Sequence, residues 1–334
     1  FSPRRTSVRP SNPPRLRPPG CYREACLGVS SPCRRESQNP KSPNSPLWGG
    51  LQPAADFSPP KQSPPPPPPP GCYSEIAPMR LLLLPLLLAP LAFPAEDPAL
   101  AAPFTRRGLT GTMVLTSLKS NQTFIHNAPR ARQRFIAAST FKIPNTLIGL
   151  EERAVENENS PFAWDGVRHE FPDHNRDQTL RSAFRVSCVW CYRIIARRVG
   201  ADRYRHHLRQ MTYGRLTEPF DVENFWLDGS LTLSAHEQID FLRKLHRREF
   251  PFSRHAYDTL AAIMVAGSGP GYTLRAKTGW SGRDPQTGWY VGIVETPNDT
   301  WFFATNILVR APADLPERIT LTREALTAKG ILPR

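Results

Sequence analysis

Ala138-Ser139-Thr140-Phe141-Lys142-Ile143-Pro144-Asn145-Thr146-Leu147-Ile148-Gly149-Leu150 sets a serine and a lysine three positions apart in an otherwise apolar run. Residues three apart share a helix face, so the Ser139 hydroxyl and the Lys142 amine can meet. Among Phe141, Ile143, Leu147 and Ile148 a charged amine loses its hydration, which favours the neutral form. A neutral amine beside a hydroxyl is a base beside a nucleophile. Taken alone, the four residues Ser139 to Lys142 also fit a helix-starting serine followed by a lysine that snorkels. The rest of the chain has to decide between the two.

The chain has 334 residues, a formal charge of +14 and 38 prolines, but these totals average two unlike pieces. Residues 1–78 hold 21 of the prolines, including the unbroken run Pro64 to Pro70, and show little apolar periodicity. Such a composition does not build a packed core. Met79 and Arg80 then precede Leu-Leu-Leu-Leu-Pro-Leu-Leu-Leu-Ala-Pro-Leu-Ala-Phe. A basic start, an apolar stretch and small residues make a secretory signal peptide over 79–101, with cleavage after Ala95 or Ala101. A membrane anchor is the competing reading, but the run is short for a span and holds two prolines. Residues 1–78 are then either sequence upstream of the true start or a Pro-rich extension. Residues 102–334 suffice for one sizeable domain or two intimately packed lobes.

With residues 1–78 set aside, the positive excess falls to +8, scattered through Arg130, Arg132, Arg134, Arg197 and Arg198. That is solvated surface with mild attraction for anions, and no nucleic-acid partner is expected. Cys21, Cys26, Cys33 and Cys72 also fall in the excluded segment, leaving Cys188 and Cys191. Their Cys-x-x-Cys spacing suggests redox or metal chemistry, yet no second ligand pair exists. Two small buried hydrophobes are the expectation, with a disulfide the lesser alternative.

Residues 111–127 read as a strand pair, 139–152 as the helix carrying Ser139 and Lys142, and 157–180 as loop. Helices are expected over 181–199 and 201–210. Ser234-Ala-His-Glu237 is a capping box that opens another helix, and a further one covers 254–266. Strands follow at 274–280, 288–296 and 301–308, then a last helix at 315–328. Strands at both ends with helices between them predict an α+β fold: one antiparallel sheet flanked by helices, plus a helical lobe.

Three further patterns join the first: Ser187-Cys188-Val189, Lys277-Thr278-Gly279 followed by Trp280, and Trp226-Leu-Asp-Gly-Ser-Leu. Ser-x-x-Lys with Lys-Thr-Gly marks penicilloyl-transfer enzymes. In this order, and separated by 48 and 90 residues, the motifs are poorly explained by chance. From residue 104 to 331 the chain resembles the class D (oxacillinase-type) serine β-lactamases, within the β-lactamase/penicillin-binding fold. Trp164-Asp-Gly, Phe171-Pro, Asp177-x-Thr-Leu, Tyr213-Gly214 and Leu274-Arg-Ala-Lys-Thr-Gly-Trp add to the resemblance. Ser-x-Val in place of Ser-Asp-Asn separates it from class A, and the dispersed histidines from the zinc enzymes, so no metal is expected.

The resemblance implies hydrolysis of β-lactam antibiotics, and hence resistance to them, through an acyl-enzyme on Ser139. Lys142 resembles the family's carbamylated base, so carbon dioxide or bicarbonate is the one implied requirement and no other cofactor is. Trp226 matches the tryptophan whose indole N–H holds the carbamate. Ser187, in Ser-x-Val with Val189, matches the proton relay to the leaving nitrogen, and Lys277 supplies positive charge beside it. Backbone N–H groups of Ser139 and Trp280 match the oxyanion hole, and the Thr278-Gly279-Trp280 strand should pair with the substrate amide. Arg318 is the candidate carboxylate clamp, or else a surface arginine. A β-lactam sensor that acylates without turnover and a penicillin-binding domain are the alternatives. Tyr213-Gly214-Arg215 departs from the usual Tyr-Gly-Asn and calls the local loop geometry into question. A periplasmic monomer or homodimer with no stable membrane anchor is expected.

Overall fold

A computed structural model describes Pro66 and residues 95–334. The proposed upstream segment apart from Pro66, residues 79–94 of the signal peptide and four of the six cysteines lie outside the described residues. Helix α1 (Pro98–Arg107) comes first, its N-terminus capped by the Asp97 carboxylate, which accepts from the Ala99 and Leu100 N–H groups. The domain boundary expected at residue 102 falls inside this helix. Leu100 is completely buried, and the folded unit reaches back to Glu96, whose carboxylate accepts from the Asn127 N–H at 3.0 Å.

Strands β1 (Gly111–Ser117) and β2 (Thr123–His126) form the expected pair, followed by the short α2 (Ala128–Arg132) and β3 (Phe135–Ile136). Ala138–Phe141 is a turn of 3₁₀ helix that runs into α3 (Lys142–Glu151), with Pro144 in its first turn, where a missing N–H costs nothing. The loop that follows contains β4 (Pro161–Phe162), a 3₁₀ turn at Pro172–His174 and β5 (Gln178–Thr179). Where one helix was expected over 181–199, the structure has α4 (Leu180–Arg185) and α5 (Val189–Val199). The break is at Ser187, whose φ of 59° leaves the helical region.

After α6 (Ala201–Met211) come β6 (Arg215–Leu216), β7 (Leu231–Leu233) and α7 (Ala235–His246), which opens on the expected Ser234/Glu237 capping box. Helix α8 (Arg254–Ile263) stops short of 266, and Val265–Gly269 forms an unanticipated edge strand, β8. Its Val-Ala-Gly-Ser-Gly sequence carries no strand pattern. Strands β9 (Tyr272–Trp280), β10 (Thr287–Glu295) and β11 (Thr300–Leu308) follow, then α9 (Glu317–Ala328).

The main sheet has the antiparallel order β2-β1-β11-β10-β9-β8, so the first strand pairs with the last, Gly111 opposite Ile307. Its two faces bury different partners. Met113, Leu115 and Tyr290 meet Leu321, Ala325 and Leu326 of α9 and Leu100 and Phe104 of α1. Val114, Val291 and Ala304 face the helical lobe with Phe141, Leu147, Trp226 and Leu242. Strands covered on both faces read as apolar runs rather than alternations. On the outer face Arg107 pairs with Glu317 and Glu324, and Lys329 with Asp97 at 2.6 Å. Among the described residues no helix is long and apolar enough to cross a membrane.

Candidate active site

The 3₁₀ turn carrying Ser139 is held from below by backbone bonds: Ala138 N–H to Trp226 O at 2.8 Å and Ala137 N–H to Leu231 O at 3.1 Å. From the other side β9 passes so close that a Cβ on Gly279 would lie 3.3 Å from the Ser139 nitrogen. Any side chain there would press on the Ser139–Thr140 backbone, which would have to give by a few tenths of an ångström. Ser139 lies in the first turn of its helix, where N–H groups lack intrahelical acceptors and the dipole is positive.

Lys142 Nζ donates to Ser139 Oγ at 3.2 Å. The lysine is wholly buried, with its ammonium 4.8 Å from the Tyr192 ring centroid. Burial, aided by the nearby Arg193 guanidinium, pulls its pKa down to about 7. The snorkelling alternative therefore fails: the amine does not reach water. Trp226 is also fully buried, stacked on Phe141 at 5.6 Å, and its indole N–H has no partner among the described residues. A buried donor left unmade costs about 1–3 kcal/mol.

Ser187 and Lys277, 90 residues apart in sequence, meet with Nζ donating to Oγ at 2.5 Å. Lys277 sits on β9, and burial with Lys142 and Arg318 nearby drives its amine well below the usual value. A cleft of about 290 Å³ opens above these groups, lined by Ser139, Ser187, Val189, Thr278, Gly279, Trp280 and Arg318. Lys142 lies beneath Ser139, whereas Trp226 does not line the cleft. Arg318 reaches it from α9. One Nη bonds to the Leu315 carbonyl, its buried Nε has no partner among the described residues, and burial lowers its pKa to about 10.

Several cleft residues were not singled out from the sequence as site residues. His174, from the loop before β5, is buried and donates from Nε2 to the Val186 carbonyl at 3.0 Å. Phe171 stands edge-on to Trp280 across the mouth, ring centroids 6.4 Å apart. Leu227 and Arg185 complete the walls. Phe171 was visible only as part of a motif, and no local signal marks His174. Arg215 is exposed on β6 opposite Thr232, away from the cleft lining. Cys188 and Cys191 are not two free hydrophobes as expected. They form a buried disulfide directly after Ser187, because the N-cap of α5 brings their Cα atoms to 5.6 Å.

Residues 111–324 match the family described as the penicillin binding protein transpeptidase domain. The chain is 41% identical over 226 residues to β-lactamase OXA-20 of Pseudomonas aeruginosa, covering 67% of this chain and 84% of that one. It is 38% identical over 239 residues to β-lactamase OXA-48 of Klebsiella pneumoniae, covering 71% and 90%. Among solved structures, the class D β-lactamase YbXI from Nostoc superposes with a TM-score of 0.68 at 40% identity, over 70% of this chain and 99% of that one. FUS-1 (OXA-85), a class D β-lactamase from Fusobacterium nucleatum subsp. polymorphum, gives 0.69 at 33% identity, over 71% and 100%. With a serine–lysine pair at the head of a buried helix, a second serine in the α4–α5 turn bonded to a lysine of β9, and these relatives at 38–41% identity, the chain belongs to the class D serine β-lactamases.

Proposed function

We propose that the protein hydrolyses β-lactams through an acyl-enzyme on Ser139, with Lys142 in the carbamylated form, and so confers antibiotic resistance. The observation that carries this is the wholly buried Lys142 amine, with a pKa near 7, hydrogen-bonded to Ser139 Oγ. The buried, unpartnered Trp226 N–H and the apolar surroundings suit a small anion on that lysine. Carbon dioxide, once captured, supplies an oxygen base at the end of the lysine side chain.

The chain's own residues divide the remaining work. Ser139 Oγ attacks the lactam carbonyl while its proton passes toward Lys142. The Ser139 and Trp280 N–H groups receive the developing oxyanion, each such donor contributing about 3 kcal/mol in comparable sites. Ser187 hands a proton to the departing nitrogen and is resupplied across its short bond to Lys277. Burial makes Lys277 reluctant to hold its proton. The substrate's carboxylate opposes that and restores the charge. The edge of β9 from Thr278 to Trp280 pairs with the substrate amide as an added strand.

Arg318 clamps the substrate carboxylate. Arg318→Ala should raise KM for a penicillin about 10- to 100-fold with little change in kcat, a charged hydrogen bond being worth about 1.5–3 kcal/mol. Steady-state kinetics decide, and an unchanged KM removes the clamp.

Below about pH 7 the Lys142 amine takes up a proton and cannot capture carbon dioxide; above that value it is increasingly neutral. Turnover should therefore fall on the acid side of pH 7, and added bicarbonate should recover part of it. The test follows penicillin absorbance and intact protein mass together, across pH, with and without bicarbonate. Turnover indifferent to bicarbonate refutes the carbamate, and a stable one-to-one adduct without turnover makes the protein a β-lactam sensor instead.

We also assign the mature start to Glu96 and the mature protein to the periplasm. Cleavage after Ala101 would divide α1 and discard the buried Leu100 and the Asp97 cap. Mass measurement of exported protein should find Glu96 at the N-terminus; a start at Ala102 would contradict this.

A further inference from the structure

We infer that the Cys188–Cys191 disulfide is the positioning device for Ser187, keeping its hydroxyl in register with Lys277 for the proton step of acylation. This rests on the hydrolase reading above. Val186-Ser187-Cys188 is the turn between α4 and α5, and Ser187 occupies the left-handed region at φ 59°, which residues with a side chain avoid. Something has to hold it there. Its own N–H makes only a long bond to Phe184 O at 3.3 Å, whereas the Cys188 N–H bonds to Ala183 O at 2.9 Å.

On the α4 side the turn is braced by His174, bonded to the Val186 carbonyl at 3.0 Å. On the α5 side the brace is Cys188. It occupies the N-cap of α5, where its sulfur accepts from the Cys191 N–H at 3.3 Å. Sulfur is a weak acceptor, so a free thiol would cap this helix poorly, and the covalent bond fixes what the cap cannot. The bond therefore ties the residue after Ser187 to the first turn of α5.

Two other roles fit less well. Both sulfurs are fully buried among Tyr192 and Ile195, out of reach of a thiol reagent or redox partner. The sequence separation is only 3, so the bond restricts the unfolded chain little and adds little global stability. Its effect falls on native geometry, next to a 2.5 Å contact between Lys277 and Ser187. A misplacement of about 1 Å at such a contact can cost about 100-fold in rate.

The test uses the full chain. Peptide mapping after alkylation under denaturing conditions first establishes that Cys188 and Cys191 are linked; free thiols there overturn the inference. Single-turnover acylation, deacylation and thermal midpoint are then compared for the native protein, Cys188→Ala/Cys191→Ala and the volume-preserving Cys191→Ser. We expect acylation to slow about tenfold or more, with deacylation and midpoint nearly unchanged. In a Ser187→Ala background, removing the disulfide should have no further effect on acylation.

Unchanged acylation overturns the proposal. So does slowing of both steps in parallel with the midpoint, or an effect that persists without the Ser187 hydroxyl. Should the double variant not fold, Cys191→Ser carries the same comparison. A native protein that never acylates refutes the hydrolase reading itself and is thereby distinguished from failure of the disulfide role.

Discussion

Ser139→Ala is expected to lower turnover of a chromogenic cephalosporin by on the order of 10⁴- to 10⁶-fold, as loss of the nucleophile does in serine hydrolases. The variant should still fold, because the anchors of the turn are backbone bonds at Ala137 and Ala138 that the hydroxyl does not touch. Substrate should still bind, since Lys277, Thr278 and Arg318 are unchanged. No covalent adduct should be seen by intact mass. Turnover within tenfold of the native rate would show that the attacking oxygen belongs to another group.

Lys142→Ala should slow both acylation and deacylation, deacylation the more. The nucleophile remains, so acylation proceeds slowly, but no base is left to activate water. Deacylation should slow by about 10²- to 10⁴-fold, the usual contribution of a positioned general base. The acyl-enzyme should therefore accumulate and persist in the mass spectrum. Stability is pulled two ways. Truncation empties a fully buried site, which destabilises, while removing an amine that resists burial stabilises. Lys142→Met, which keeps most of the volume, separates packing from chemistry: it too should trap the adduct. Normal turnover in either variant would refute the assignment.

These residues were legible to different degrees. The Ser234/Glu237 capping box, the first strand pair and the three C-terminal strands carry local signals, and the structure has them where expected. The Ser139–Lys142 pairing is also local, set by helix geometry alone. The meeting of Ser187 with Lys277 is not: nothing in a spacing of 90 residues says that a turn will face a strand, and it followed from family resemblance. His174 was missed for the same reason, since it comes from a loop without periodicity. The break at Ser187 went unseen because Val186-Ser187-Cys188 contains neither glycine nor proline. Strand β8 was missed because its glycines weaken the pattern that pairing with β9 overrides. Helix α1 was not anticipated because its first residues, Pro98 to Ala101, were assigned to the signal peptide, whereas the structure anchors it at Glu96 and Asp97.

The pairing of β1 with β11 bears on how the chain comes to be folded at all. As synthesis proceeds, β1 has only the short β2 beside it, and its other edge stays open until β11, near the end of the chain, is complete. The outer layer waits longer still, because α9, which packs beside α1 over the sheet, follows β11. Long-range pairing of this kind is slow and leaves unpaired edges exposed meanwhile. The nascent polypeptide therefore remains threadable, and prone to aggregation without a chaperone, until β11 and α9 have been added.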